Sequence, residues 1–258
     1  MRFITTNYVN ESATTITASS ANINYPASNL KNFFRSKTWR SSGCVSESVV
    51  FDLQTPTDID SVVLMWPKEY GIRLSDSAVI KVQANPTNVW TTPAIDITMT
   101  ISNDFSIASH YFNTAQSYRY WRVLIEDATN PNGWVDLGVV FLGNSESIIT
   151  IDNGFKVNYK DNSKIITTDY GNEYVDEYPT TMVMTIPFSV LDYSDIELIQ
   201  VAYLKNGTRL PVLIVVDESS NVFNKDNFVL YGKMKSELDL THISYDLFST
   251  ELEIREIV

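Results

Sequence analysis

The residue types that perform catalysis are few in this chain, and their spacing does not favour it. The two histidines, His110 and His242, have no Cys, Asp or Glu at the spacing that metal ligation requires. The sequence also lacks a G-x-S-x-G turn, a P-loop and a G-x-G-x-x-G loop. Carboxylate pairs such as Asp58/Asp60 are spaced i, i+2, so on a strand both side chains lie on the same face. We interpret such a pair as part of the solvated face of an amphipathic strand; a catalytic pair of a glycosidase is the alternative. We therefore predict no enzymatic activity, no catalytic residue, no cofactor and no metal site.

Aromatic and arginine side chains in turn-rich segments point instead to binding. Sugar sites use an exposed aromatic ring with polar groups aimed at hydroxyls, and aromatic and arginine residues also anchor protein interfaces. Core packing is the alternative role for each of these side chains, and we favour a protein contact over a sugar. The candidate ligand- or partner-binding residues are Trp39, Arg40, Tyr70, Arg73 and Trp134.

One turn carries enough oxygen ligands to raise the question of calcium. Asp127, Asn130, Asn132 and Asp136 surround it, and hard cations prefer such oxygens. The D-x-D-x-D-G pattern is absent, so we interpret these residues as ordinary turn formers, with a structural Ca²⁺ as the alternative.

Composition excludes several classes of protein. Of the 258 residues 44% are hydrophobic, which is enough to form a core, and the formal net charge is -12. An acidic surface repels phosphate, so nucleic acid is not an expected partner. The single cysteine, Cys44, cannot form an internal disulfide, which fits folding in a reducing cytoplasm. We expect neither a secretory signal nor a membrane span, because the required apolar segments are absent.

Charge and texture divide the chain near residue 146. The part up to Glu146 has 10 basic and 13 acidic residues, whereas the remainder has 9 and 18. Short apolar runs separated by Asn, Ser, Asp and Pro predict a sandwich or jelly roll in the first part. In the second part, strand-like runs surround one amphipathic segment that predicts a helix near 194–205, with Ser194 as its cap. We therefore predict a mainly β chain with a jelly-roll β-sandwich over 1–146 and a β-rich domain with one helix over 147–258.

Several short motifs of the first part resemble those of a known family. They are Y-P-A-S-N-L at 25–30, S-K-T-W-R-S at 36–41, V-V-F-D-L at 49–53, Y-R-Y-W-R-V at 118–123 and V-F-L-G at 140–143. In this order they resemble the discoidin, or coagulation factor 5/8 type C, family, which has a galactose-binding-like fold. The resemblance implies a β-sandwich that binds ligands through loops at one end and rarely catalyses.

The order of elements in the whole chain is similar to that of bacteriophage tail proteins with an N-terminal discoidin-like domain. This resemblance implies a virion structural protein of the tail tip, baseplate or fibre adaptor, made in the host cytoplasm. Its implied partners are other tail proteins, further copies of itself in a trimer or ring, and host-surface glycan; neither nucleic acid nor membrane is implied. The alternatives are a carbohydrate-binding module of a surface or secreted protein and, second, a polysaccharide hydrolase.

Overall fold

The computed structural model describes residues 1–68, 74–146, 154–216, 229–235 and 237–257. They form two compact units, Thr6–Ser145 (the first unit) and Met1–Thr5 with Glu146–Val258 (the second unit). The opening residues belong with the second unit because strand β1 (Arg2–Ile4) pairs with a strand late in the chain, Val212–Val215. The sequence predicts instead that they belong to the first domain, 1–146. None of the described helices is long and apolar enough to cross a membrane.

The first unit is a β-sandwich dominated by two long antiparallel strands, β4 (Glu47–Met65) and β8 (Ile107–Glu126). Their pairing shifts register between Asp52 and Thr57 and again between Ile59 and Ser61. Register shifts of this kind let a strand bend at the corner of a sandwich. The sequence predicts a break in each of these strands, because the polar residues between the apolar runs look like turns. In the structure each strand continues through these residues, and the register shifts fall there.

The remaining strands of the first unit extend this sheet or form a separate ribbon. The sheet order is β10-β4-β8-β5-β6, with β2 on β4 and β7 on β8, while β3 and β9 pair with each other. The bounds are β2 (Thr15–Ala18), β3 (Trp39–Arg40), β5 (Val79–Asn85), β6 (Ile95–Thr98), β7 (Thr100–Ser102), β9 (Asp136–Leu137) and β10 (Val139–Gly143), with 3-10 turns at Tyr8–Asn10 and Ala27–Leu30.

A buried arginine holds the segment before β3 against the sandwich. Arg35 is 3% exposed, and its guanidinium donates to the carbonyls of Trp66 (2.9 Å), Phe105 (3.1 Å) and Ser106 (2.8 Å). Gly138, between β9 and β10, lies so close to the Arg35 backbone that a Cβ would overlap its carbonyl. The contacts of Arg35, before β3, and of Gly138, after β9, therefore hold the β3–β9 ribbon in place.

The second unit is a seven-stranded antiparallel sheet covered by one α-helix among the described residues. The sheet order is β1-β15-β16-β18-β14-β11, with β17 on β18; β12 and β13 form a separate hairpin. Their bounds are β11 (Lys156–Lys160), β12 (Lys164–Thr167), β13 (Glu173–Asp176), β14 (Thr181–Leu191), α1 (Tyr193–Asn206), β15 (Val212–Val215), β16 (Val229–Met234), β17 (Thr241–Ser244) and β18 (Leu247–Glu256).

The helix of the second unit begins earlier than predicted. Its N-cap is Asp192, whose Oδ1 accepts from the Asp195 backbone N–H at 3.0 Å and from the Ser194 hydroxyl at 2.6 Å. The proposed cap Ser194 therefore lies inside the first turn, because Asp192, also a preferred N-cap residue, precedes it and accepts the capping hydrogen bond. Ile196, Ile199 and Ala202 face the core. The predicted fold class, mainly β with a sandwich and one helix, is confirmed.

Candidate binding site

The β3–β9 ribbon brings an arginine and an aspartate directly opposite each other. Arg40 and Asp136 are register partners, and their side chains form a two-pronged ion pair with Nε–Oδ1 at 2.8 Å and Nη2–Oδ2 at 3.0 Å. The Asp136 side chain is 2% exposed and that of Arg40 is 22% exposed. This is the strong, geometrically specific form of ion pair, because both carboxylate oxygens accept from one planar fork.

The Arg40 guanidinium also lies over the faces of two aromatic rings. The Arg40 Cζ lies 4.5 Å from the ring centre of Tyr25 and 4.7 Å from that of Trp134. Trp134 is fixed further because its Nε1 donates to Asp136 Oδ2 at 3.1 Å. Tyr25 is fixed through its backbone, since the Arg40 N–H donates to the Tyr25 carbonyl at 3.1 Å. Tyr25, Arg40, Trp134 and Asp136 are hereafter called the aromatic cluster.

The aromatic cluster presents a rigid, partly exposed surface. Tyr25 is 37% exposed, Trp134 is half-buried, and the neighbouring Ile23 is 92% exposed. Rings that are already ordered lose little conformational entropy when a ligand stacks on them. The cluster therefore has the components of a recognition site: fixed apolar faces beside a fixed hydrogen-bond donor group.

Of the five candidates from the sequence, the structure brings two together. Arg40 and Trp134 are in the aromatic cluster. Trp39 is fully buried in the core of the first unit, with its Nε1 donating to the Ser20 carbonyl at 2.9 Å, so it offers no surface to a ligand. Adjacent residues of a strand point to opposite faces, which is why Trp39 and Arg40 differ. Tyr70 and Arg73 lie outside the described residues.

Sequence reasoning missed Tyr25 as a site residue and gave Asp136 only a weak role in calcium binding. Asp136 follows Trp134 by two residues, the spacing at which side chains of an extended segment share a face, and this signal could have linked them. Tyr25 lies 15 residues before Arg40, and it is placed there by the turn between Asn22 and Tyr25 together with the backbone hydrogen bonds that both residues form with Arg40. No local sequence pattern predicts the contact between Tyr25 and Arg40.

The oxygen ligands suggested for calcium have other partners. The Asp127 carboxylate accepts from the Ser75 backbone N–H at 3.0 Å, from the Ser75 hydroxyl and from Asn130 Nδ2 at 2.7 Å. Asn130 Oδ1 accepts from the Asn132 N–H at 2.9 Å, which is a turn of the Asx type. Within the ranges that the structure describes, no group of three His, Cys, Asp or Glu side chains is arranged to hold a metal ion.

A second arginine–tryptophan stack occurs in the first unit. The Arg122 Cζ lies 4.6 Å from the Trp90 ring centre, and its Nε donates to Gln83 Oε1 at 2.6 Å. Burial lowers the pKa of the Arg122 guanidinium from its ordinary value. Arg122 contacts a neutral amide and one ring, whereas Arg40 contacts a carboxylate and two rings, so the second stack is a natural control for the aromatic cluster.

No protein-family model matches the chain, and no curated protein does. Solved structures with a similar fold include a family 32 carbohydrate-binding module of Clostridium perfringens NanJ in complex with galactose. It has 13% sequence identity and a TM-score of 0.43, and the match covers 56% of this chain and all of that one. A module of a family 31 glycoside hydrolase from the same organism has 11% identity and a TM-score of 0.42, over 52% and 95% of the two chains.

Proposed function

We propose that the chain is a non-catalytic binding protein whose first unit recognises carbohydrate at the aromatic cluster. The observation that carries the proposal is the Arg40 guanidinium held between the rings of Tyr25 and Trp134, at 4.5 and 4.7 Å. Similar folds in carbohydrate-binding modules solved with sugars, galactose among them, agree with this class of ligand.

The two parts of the cluster suit the two sides of a sugar ring. The C–H face of a pyranose is apolar and packs on an aromatic ring, while its hydroxyls need directional partners. Tyr25 and Trp134 supply ring surface, and the Tyr25 hydroxyl and the exposed part of Arg40 supply polar groups. Because the ion pair and backbone bonds fix these groups, binding requires little reordering.

Charge favours a neutral sugar over an acidic one. The positive charge of Arg40 is paired with Asp136, so the cluster carries no net charge of its own. The first unit has 9 basic and 12 acidic residues, and its field therefore repels a polyanion. We expect neutral hexoses or N-acetylhexosamines to bind better than uronic acids.

The test is binding of the full chain to an array of neutral and acidic oligosaccharides, followed by calorimetric titration with galactose and with the best array ligand. We expect a neutral sugar to bind. Trp134→Ala and Tyr25→Ala should each weaken its binding roughly fivefold or more, from the loss of one stacked ring.

Trp90→Ala is the matched control, since it removes the tryptophan of the second arginine–tryptophan stack, Arg122–Trp90, in the same unit. It should leave the affinity unchanged. Equal losses in Trp90→Ala and Trp134→Ala would overturn the assignment of the site, and the absence of any bound sugar on the array would overturn the proposed function.

The role in a phage tail, with tail partners and a virion location, stays a prediction. Sugar binding by the first unit is compatible with attachment to a host surface, which is the adhesive role that the resemblance implies. It is equally compatible with a module of a surface or secreted protein. Finding the purified chain assembled with tail proteins, or in a virion, would distinguish the two.

A further inference from the structure

The hairpin formed by β12 and β13 is exposed on both faces. All eight strand residues are exposed, and the register pairs Ile165 with Val175 and Ile166 with Tyr174. Because successive residues alternate in side, one apolar pair lies on each face of the hairpin. Ile165 is 64% exposed and Tyr174 is 63% exposed. An isolated two-stranded hairpin is marginally stable in water, so this one gains from being covered.

The outer edge of strand β11, in the same unit, carries lysines. Among the described residues, β11 forms ladder hydrogen bonds with β14 alone, so its other edge has unpaired backbone groups. Its sequence, K-V-N-Y-K, carries Lys156 and Lys160 at its ends and the exposed Tyr159 between them. Exposed strand edges are templates for pairing with another chain, and lysine on an edge restricts which chain can pair.

The two strands can form one complementary charge pair. β13 reads E-Y-V-D and has Glu173 and Asp176 at its ends, whereas β11 has a lysine at each end. The second unit has 10 basic and 19 acidic residues, and β11 carries two of its lysines and no acidic residue. β12 contains Lys164 and would oppose the lysines of β11, so β13 is the better match.

We infer that β13 of one copy of this chain pairs antiparallel with β11 of a second copy. Placing Asp176 opposite Lys156 sets Val175 opposite Val157. Val157 packs against the core of its unit, so this register puts an apolar residue beside an apolar residue on the core side and an ion pair on the outer side.

This contact is heterologous, because it uses different surfaces of the two copies. Each copy keeps one hairpin and one edge for further neighbours, so the assembly closes as a ring or grows as an open chain. The surfaces belong to the second unit, so the inference is independent of sugar binding by the first unit.

The test is sedimentation velocity on the full chain over a wide concentration range. We expect the wild type to associate. Lys156→Asp and Asp176→Lys should each weaken association roughly tenfold, because an attractive cross-strand pair becomes a repulsive one. The double variant Lys156→Asp/Asp176→Lys should recover association relative to Asp176→Lys, since the pair is re-formed with its charges exchanged. Both of these variants place a lysine opposite Lys164 within the hairpin, so that repulsion cancels in the comparison.

Lys37→Asp is the control for charge, because it makes the same change at an exposed lysine of the first unit. Circular dichroism melting checks that each variant is folded. A wild type that stays monomeric throughout the range overturns the inference. Association that is indifferent to the Lys156 and Asp176 variants, or a double variant no better than the single ones, also overturns it.

Discussion

Replacing Arg40 with alanine should destabilise the first unit far more than loss of a surface ion pair would. Removing one partner of a buried ion pair costs about 3–5 kcal/mol, because the other charge stays buried without compensation. The Asp136 side chain is 2% exposed, which places it in this class, while Arg40 is 22% exposed. Asp136 would also retain the Trp134 indole donor at 3.1 Å. We therefore expect a loss at the lower end, about 3 kcal/mol.

Urea unfolding followed by tryptophan fluorescence measures this loss in the relevant unit. All five tryptophans lie between residues 6 and 145, so the signal reports on the first unit. Arg40→Ala, Asp136→Ala and the double variant form a cycle. The double variant should lose much less than the sum of the single ones, since the pair is then removed as a whole.

Arg119→Ala removes an arginine from a more exposed pair, with side chains 36% and 18% exposed, and should have a much smaller effect. If Arg40→Ala changed the free energy of unfolding by less than about 0.5 kcal/mol, the scale of an exposed ion pair, the Arg40–Asp136 pair would not behave as a buried one. The same conclusion would follow if the single losses simply added.

Two further predictions concern a steric overlap at Gly138 and the pH dependence of the Asp52–Arg119 ion pair. Gly138→Ala should destabilise the first unit by about 1–3 kcal/mol, because its Cβ would overlap a backbone carbonyl; Gly232→Ala meets a similar overlap in the second unit and should leave the tryptophan transition unmoved. A Gly138→Ala protein as stable as the wild type would contradict this. The Arg119 side chain lowers the pKa of Asp52, so its stabilisation is present above about pH 4 and is lost as the pH falls through the lowered pKa. In the wild type the urea midpoint of unfolding should fall as the pH drops below about 4, and in Asp52→Asn this fall should be smaller. The same fall in both proteins would count against a stabilising Asp52–Arg119 pair.

Much of the fold follows from local pattern in the sequence. The apolar run of β10 and the alternation in β18 are visible as strands, and the segment that forms α1 has its apolar residues at helical spacing. These elements are set by side chains that are neighbours along the chain. β1 is different: it is three residues long, and it is a strand because it pairs with β15 more than 200 residues later, which no local window contains.

The aromatic cluster could be predicted only in part, because local sequence shows residue types and turns but not which distant segments pair. Arg40 and Trp134 stand out as an arginine and an aromatic beside turns, and both are in the cluster. The burial of Trp39 depends on which side of the short strand β3 faces the core, and that is decided by its pairing with β9. The exposed hairpin was missed as a surface because β12 reads as an ordinary apolar strand; only the structure shows that its apolar residues are uncovered.

The most direct test of the central claim is a crystal structure of the full chain with the neutral oligosaccharide that binds best on the array. One sugar ring should stack on Tyr25 or Trp134, with a hydroxyl hydrogen-bonded to Arg40 or to the Tyr25 hydroxyl. The Arg40–Asp136 pair should remain unchanged, because the site is preorganised. A sugar bound on the Trp90–Arg122 stack, or anywhere away from the aromatic cluster, would contradict it.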